Sequence, residues 1–164
     1  MRQNYLSAVV LFLALSCAAP AICRAENCPW LNAATAAGSL KGAVTFTVTR
    51  TGDDKQDATC EFIHHDGAVR TSLQIEVATL KDPSHDFTAY SAKCGQDATP
   101  LRAIGNEAQV CTLRTKNRYS EQVVSRVRER AFIVRMSSNT ATADGSELRE
   151  LTRKIAEQVA GFLF

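Results

Sequence analysis

The 164-residue sequence lacks most of the patterns by which a chain declares its chemistry. It has no Cys-x-x-Cys pair, no His-Glu-x-x-His, no Gly-x-Ser-x-Gly and no glycine-rich phosphate loop. Their absence argues against a close-ligand zinc or redox site, a metalloprotease helix, a hydrolase elbow and a nucleotide cradle. Internal repeats, low-complexity tracts and linkers are missing too, which leaves one domain of ordinary size. Nor does one sign of charge dominate: 19 Lys and Arg stand against 17 Asp and Glu, with 22% charged and 45% hydrophobic residues. That balance speaks against a nucleic-acid binder, a disordered chain and a collagen-like repeat.

What is there begins with the N-terminus. Arg2 precedes an apolar run from Leu6 to Ala14 in which only Ser7 is polar, and Cys23-Arg24-Ala25 offers small residues before a cut. The pattern predicts a signal peptide over residues 1–25 and a mature domain over 26–164. A membrane anchor is the rival reading, but Pro20 and Arg24 interrupt the segment short of the roughly 20 apolar residues a span needs. Ala14-Leu15-Ser16-Cys17 is an imperfect lipobox, so an acylated Cys17 would be the one membrane attachment expected. Cleavage removes Arg2 and Arg24 and leaves 17 basic against 17 acidic residues. Residues 26 to 100 then carry 6 basic and 10 acidic groups, and residues 101 to 164 carry 11 and 7. This polarity can steer a partner, and it is equally what two faces of a neutral domain look like.

Cleavage also removes Cys17 and Cys23, leaving Cys28, Cys60, Cys94 and Cys111, an even set suited to an oxidising compartment. Of the three pairings, joining nearest neighbours is preferred: Cys28 with Cys60 and Cys94 with Cys111. Each bond is then worth about 3 to 4 kcal/mol by chain entropy.

Pro29-Trp30-Leu31 and the alanines that follow predict a short helix starting at Pro29 and stopped by Gly38, with Trp30 turned inward. From Ala43 to Arg50, Val44, Phe46 and Val48 alternate with threonines, the mark of a half-buried strand. Asp66-Gly67 suits a type I′ turn joining Thr59–His65 to Ala68–Leu80 with residue 65 opposite 68. That pairing sets Phe62 opposite Thr71, and groups Cys60, Phe62, Val69, Leu73, Ile75 and Val77 on one face. Asp82-Pro83 can cap a helix to about Lys93 bearing Phe87, Tyr90 and Cys94 on one stripe, after which Gly95 to Asn106 reads as a polar loop. A strand follows near Ala108 to Thr115. Ser120 to Ser138 keeps helical spacing at Val123, Val127, Ala131 and Val134, but its β-branched density favours two strands reversing near Glu129-Arg130. Asp144 and Glu147 resemble a capping box, opening a docked helix with Leu148, Leu151, Ile155, Val159 and Phe162 as its apolar stripe. The expected fold class is α+β: an antiparallel sheet of about five to six strands packed against N-terminal, middle and C-terminal helices.

Two short runs suggest chemistry and two arguments weaken them. His64 and His65 could suggest a metal site, but strand neighbours point to opposite faces. Ser84-His85-Asp86 spells the letters of a hydrolytic triad, yet consecutive residues of a helix start spread around its axis. No catalytic residue, metal ligand or cofactor is therefore assigned, and a hydrolytic or metal enzyme using His64 or His85 is kept as the alternative. Arg118, Arg126, Arg128, Arg130 and Arg135 could line an outer sheet face suited to carboxylates, phosphates or anionic glycans. Glu121 and Glu129 among them fit a solvated face with local ion pairs equally well.

Cys28-Pro29-Trp30-Leu31 on a short helix, Thr59-Cys60-Glu61-Phe62 on a strand, and Ile104-Gly105-Asn106-Glu107-Ala108 before paired strands and a closing helix form one pattern. It resembles a loose group of small exported bacterial domains, often lipoproteins, that carry no assigned function. The resemblance implies a PsbP-like arrangement and carries over no catalytic residue. The reading that follows is a periplasmic or secreted, non-enzymatic binding or accessory module contacting an envelope protein, glycan or small anionic ligand, with no nucleic acid. Arg126, Arg128, Arg130 and Arg135 are its expected contacts. A structural envelope component is the remaining alternative.

Overall fold

Two antiparallel meanders meet side by side in the computed structural model, which describes residues 27–51, 57–140 and 145–164. The expected signal peptide over 1–25, the Cys17 lipobox and the Asp144 cap lie outside the described residues. The first meander is β1 (Thr45–Arg50), β2 (Ala58–Asp66) and β3 (Val69–Thr79). The second is β4 (Thr99–Leu101), β5 (Glu107–Thr115), β6 (Arg118–Val127) and β7 (Arg130–Ser138). Pairing of β3 with β7 fuses them into one sheet of order β1-β2-β3-β7-β6-β5-β4. The class is α+β as expected, with seven strands among the described residues in place of five to six. The extra strand is β4, whose three residues, including Pro100, fall below the length at which alternation can be read.

Helix placement follows from that topology. To pass from β3 at the centre to β4 at the far edge, the chain crosses one face through α2 (Pro83–Ser91) and a 3-10 segment (Ala92–Asp97). Phe87, Cys94, Cys111, Val124 and Ile133 form the small core beneath it. On the other face α1 (Ala33–Leu40) and α3 (Gly145–Leu163) cover the main core of Cys60, Phe62, Leu73, Ile75, Val123, Phe132 and Val134. The central strands β6 and β7 are therefore buried on both faces, while β1 keeps Thr45, Thr47 and Thr49 exposed.

Several local expectations shift. The β2–β3 turn is Gly67-Ala68, with Asp66 opposite Val69 and Phe62 opposite Leu73, two positions from the expected register. Only Gly67 of the two takes a positive φ, 57°, whereas a type I′ turn needs two such residues. A shift of two conserves the faces, so the apolar set stays together. The first helix starts at Ala33, because the Asn32 side chain accepts from the Thr35 N–H at 2.8 Å, and Pro29 lies before it. It runs through Gly38 and ends at Lys41, φ 61°, where the Gly42 N–H returns to the Ala37 carbonyl at 3.0 Å. Trp30 is buried as expected. On α3 the small Ala156 and Ala160 sit deep, rotating the buried stripe away from Leu151 and leaving Phe162 61% exposed.

The segment before β5 is held by its glycine. Gly105 has φ 67°, and a β-carbon there would collide with the Arg126 carbonyl, the same oxygen that accepts the Asn106 N–H at 2.7 Å. Gly105→Ala is expected to cost about 2 to 3 kcal/mol, combining left-handed strain with a backbone clash, read as a lower urea midpoint.

Candidate functional site

The inward face of β6 should be apolar throughout, and at Glu121 it is not. Tyr119, Glu121, Val123 and Val127 share the face that α3 covers, and Glu121 is 1% exposed. A carboxylate out of water needs several donors to offset its lost hydration. Thr112, directly opposite on β5, donates its hydroxyl to Oε1 at 2.7 Å, and the Tyr119 hydroxyl donates to the same oxygen. From α3, Arg149 donates Nε–H to Oε2 at 3.2 Å and an Nη2–H to the Thr112 hydroxyl at 3.2 Å. Gly145, the first residue of α3, lies so close that a β-carbon would collide with the Tyr119 hydroxyl. Gly145→Ala is thus expected to push Tyr119 off Glu121 and cost about 1 to 3 kcal/mol, measured by denaturant titration.

Around this cluster lies an open groove of about 370 Å³ lined by Thr112, Arg114, Tyr119, Glu121, Gly145, Ser146 and Arg149. A smaller hollow of about 130 Å³ adjoins it at the tip of the β5–β6 hairpin, bounded by Arg114, Thr115, Lys116, Arg118 and Tyr119. The Arg114 guanidinium stands 4.7 Å over the Tyr119 ring. Arg114, Lys116, Arg118 and Arg149 therefore line the two hollows, and among the described residues Glu121, whose oxygens already accept three donors, is the one carboxylate there. Among the described residues the groove's one acid is engaged with Arg149, which leaves Arg114 as the further cation on its wall.

Burial, and then the hydrogen bond to Glu121, raise the Tyr119 hydroxyl pKa, which keeps it a proton donor. On the opposite face Tyr90 is pushed up to about 12, first by burial and then by Glu76, which accepts its hydroxyl at 3.3 Å. Between pH 10 and 12 the folded chain then holds protons that the unfolded chain has released, so stability falls as pH rises through that window. Tyr90→Phe is expected to flatten the fall, measured as urea midpoints from pH 9 to 12 against tyrosinate absorbance.

The arginines singled out from the sequence do not gather on one surface. Arg126 pairs with Glu107 and donates Nη1–H to the Arg128 carbonyl at 2.9 Å. Arg128 occupies the β6–β7 turn at φ 53°, its N–H on the Asn106 side chain at 2.7 Å. Arg130 opens β7 opposite Val127, on the other face from Arg126. Arg135 lies half-buried on the α2 face with Nε–H on Gln122 at 2.7 Å, and burial lowers its pKa. Arg126 and Arg135 share that face but stand four register positions apart, roughly 13 Å along the strands. Arg118 alone of the group borders the smaller hollow at the hairpin tip.

His64 packs over Gly42 with Nδ1 2.9 Å from the Ala43 carbonyl, and His65 faces the other way in the next register position. At the start of α2 the Ser84 hydroxyl donates to Asp82 and His85 lies beside Asp86, so Ser84 and His85 form no relay. Asp86 is held below the usual carboxylate range mainly by the Asp82 backbone N–H. Among the described residues no three His, Cys, Asp or Glu side chains gather to hold a metal. The disulfides join Cys28 to Cys60 and Cys94 to Cys111, with Cα atoms 5.8 and 5.5 Å apart. Among the described residues no helix is long and apolar enough to cross a membrane.

Thr112, Tyr119 and Arg149 went unnoticed in the sequence, and Glu121, which fitted a solvated face there, is instead buried, although one signal was present. Glu121 sits in phase with Val123 and Val127, a charged residue on an apolar parity. Thr112 and Arg149 come to it only through strand register and helix docking. Comparison of the chain with protein-family models, with curated proteins and with solved structures finds no match.

Proposed function

We propose that this chain is an exported, non-enzymatic binding module that holds the anionic group of its ligand, a carboxylate or a phosphate, in the groove at the β5–β6 hairpin. The single observation carrying this reading is the imbalance around Glu121: Arg114, Lys116 and Arg118 line the two hollows in addition to Arg149, and among the described residues the one carboxylate there is already satisfied by Thr112, Tyr119 and Arg149. Arg114 offers forked donors suited to a planar or tetrahedral oxyanion. The first turn of α3, at Gly145 and Ser146, adds the positive end of a 19-residue helix. The signal-like residues 1–25 and two disulfides support an oxidising, exported setting.

Calorimetric titration with inorganic phosphate and with acetate at low salt separates the two surfaces. The Arg114→Gln/Lys116→Gln/Arg118→Gln triple should weaken saturable binding at least tenfold, since about 1 kcal/mol per lost charge contact accumulates over three positions. The Arg126→Gln/Arg128→Gln/Arg135→Gln triple should leave it within about twofold by the same arithmetic. The reverse ranking would move the ligand to the β6–β7 arginines. Turnover of ester or peptide substrates that is lost in His64→Ala or His85→Ala would favour the enzymatic alternative.

A further inference from the structure

The sheet has two edges, and they are built differently. At β4 the edge is three residues long and carries Pro100, the usual protections against pairing with another chain. At β1 the edge is six residues, Thr45–Arg50, with no proline, no lysine and no charge before Arg50. Among the described residues no strand lies outside it. Phe46 and Val48 pack only partly against the core, so the apolar floor of the sheet is left half-covered at this rim. Phe46 is fixed there by stacking on Phe62, ring centres 5.7 Å apart.

The backbone sets which groups a partner would meet. The Thr51 N–H bonds the Asp57 carbonyl at 3.0 Å, in line with the β1–β2 register that pairs Thr45 with Ile63. Bonded pairs alternate in an antiparallel ladder, so Thr45, Thr47 and Thr49 bond inward and Phe46 and Val48 direct their N–H and C=O outward. We propose that this edge is the seam of a twofold dimer, a second copy pairing its β1 antiparallel to the first about Thr47. A second copy fits because the strand is self-complementary under that operation.

Opposed residues must share a face, which limits the registers. Two of them overlap five strand residues. One sets Arg50 against Phe46 of the second copy. The other sets Phe46 against Val48 on the core face, in bonded pairs on both sides of the axis, and Thr47 against its own counterpart on the exposed face. The second places β-branched and aromatic pairs throughout and keeps both arginines outside the overlap, so it is the register of the dimer. The helices permit it. α1 packs over β2 and β3, roughly 10 Å from the axis at 4.8 Å per strand, so the two copies of α1 stand roughly 19 Å apart against a helix diameter of roughly 11 Å.

Sedimentation of the full chain with its disulfides intact should show a concentration-dependent dimer. Thr47→Lys opposes two ammonium groups at the axis on an exposed position, and should raise the dimer dissociation constant roughly fivefold, with an unchanged urea midpoint for the monomer. Thr47→Cys should cross-link readily, since a non-bonded antiparallel pair has Cα atoms about 4.5 Å apart, within disulfide reach. Thr49→Cys should not, because it faces Thr45 of the second copy. A chain that stays monomeric at millimolar concentration would overturn the proposal. So would cross-linking of Thr49→Cys as fast as Thr47→Cys, or slow hydrogen exchange at the Phe46 and Val48 amides in the monomer, which would mean another segment of the same chain occupies the edge.

Discussion

Replacing Phe132 with alanine is expected to lower stability by about 3 to 5 kcal/mol, the range for emptying a buried aromatic site. Phe132 is fully buried on β7, opposite Val77 of β3 and Ser125 of β6, where the two meanders join. Its ring faces the core shared with α3, so the cavity would open at the point on which both halves of the sheet depend. For a domain of this size the loss corresponds to a melting temperature roughly 10 °C lower. Phe162→Ala is the matched control, because that ring is 61% exposed on the last turn of α3, and its effect should stay within about 0.5 kcal/mol. Thermal unfolding of the two variants side by side checks the layer assignment. Equal losses would mean that Phe162, as its apolar spacing suggests, is buried after all.

The second large effect belongs to the disulfides. Cys28→Ala/Cys60→Ala opens a bond separated by 32 residues and should cost about 4 kcal/mol, while Cys94→Ala/Cys111→Ala, separated by 17, should cost about 3 kcal/mol. The bonds sit on opposite faces of the sheet. The first fastens the segment before α1 to β2 in the main core, and the second ties the 3-10 segment to β5 beneath α2. Loss of the second should also reach Gln122, whose side-chain amide lies 4.0 and 3.9 Å from the two sulfurs and whose oxygen holds Arg135. Urea titrations of both variants test the order. A larger cost for the 17-residue closure would show that packing around Gln122 outweighs chain entropy.

How much of this fold could be read from the residues depended on how each strand is covered. β1, β2 and β3 carry polar residues on one face, so alternation marked them and their inward sides. β6 and β7 are covered on both faces, so their β-branched runs looked as helical as extended, and the two-strand reading prevailed on residue type alone. The hairpin turn came out two positions away because Asp66-Gly67 satisfies a turn rule that the chain meets with Gly67 alone. Pairing of the cysteines followed from proximity along the chain. The candidate site was much less legible. Arginine density drew notice to β6 and β7, yet Arg126 is spent on Glu107 and Arg135 on Gln122, contacts set by register and by burial. The groove depends on residues 112, 119, 121 and 149, which no sequence window brings together.

Mapping backbone amide shifts during a phosphate titration at low salt tests the central claim most directly. The account predicts saturable shifts confined to the β5–β6 hairpin from Thr112 to Glu121 and to Gly145, Ser146 and Arg149 at the start of α3. Shifts that grow without saturating, or that saturate around Arg126 and Arg135 while the hairpin stays unmoved, would contradict it.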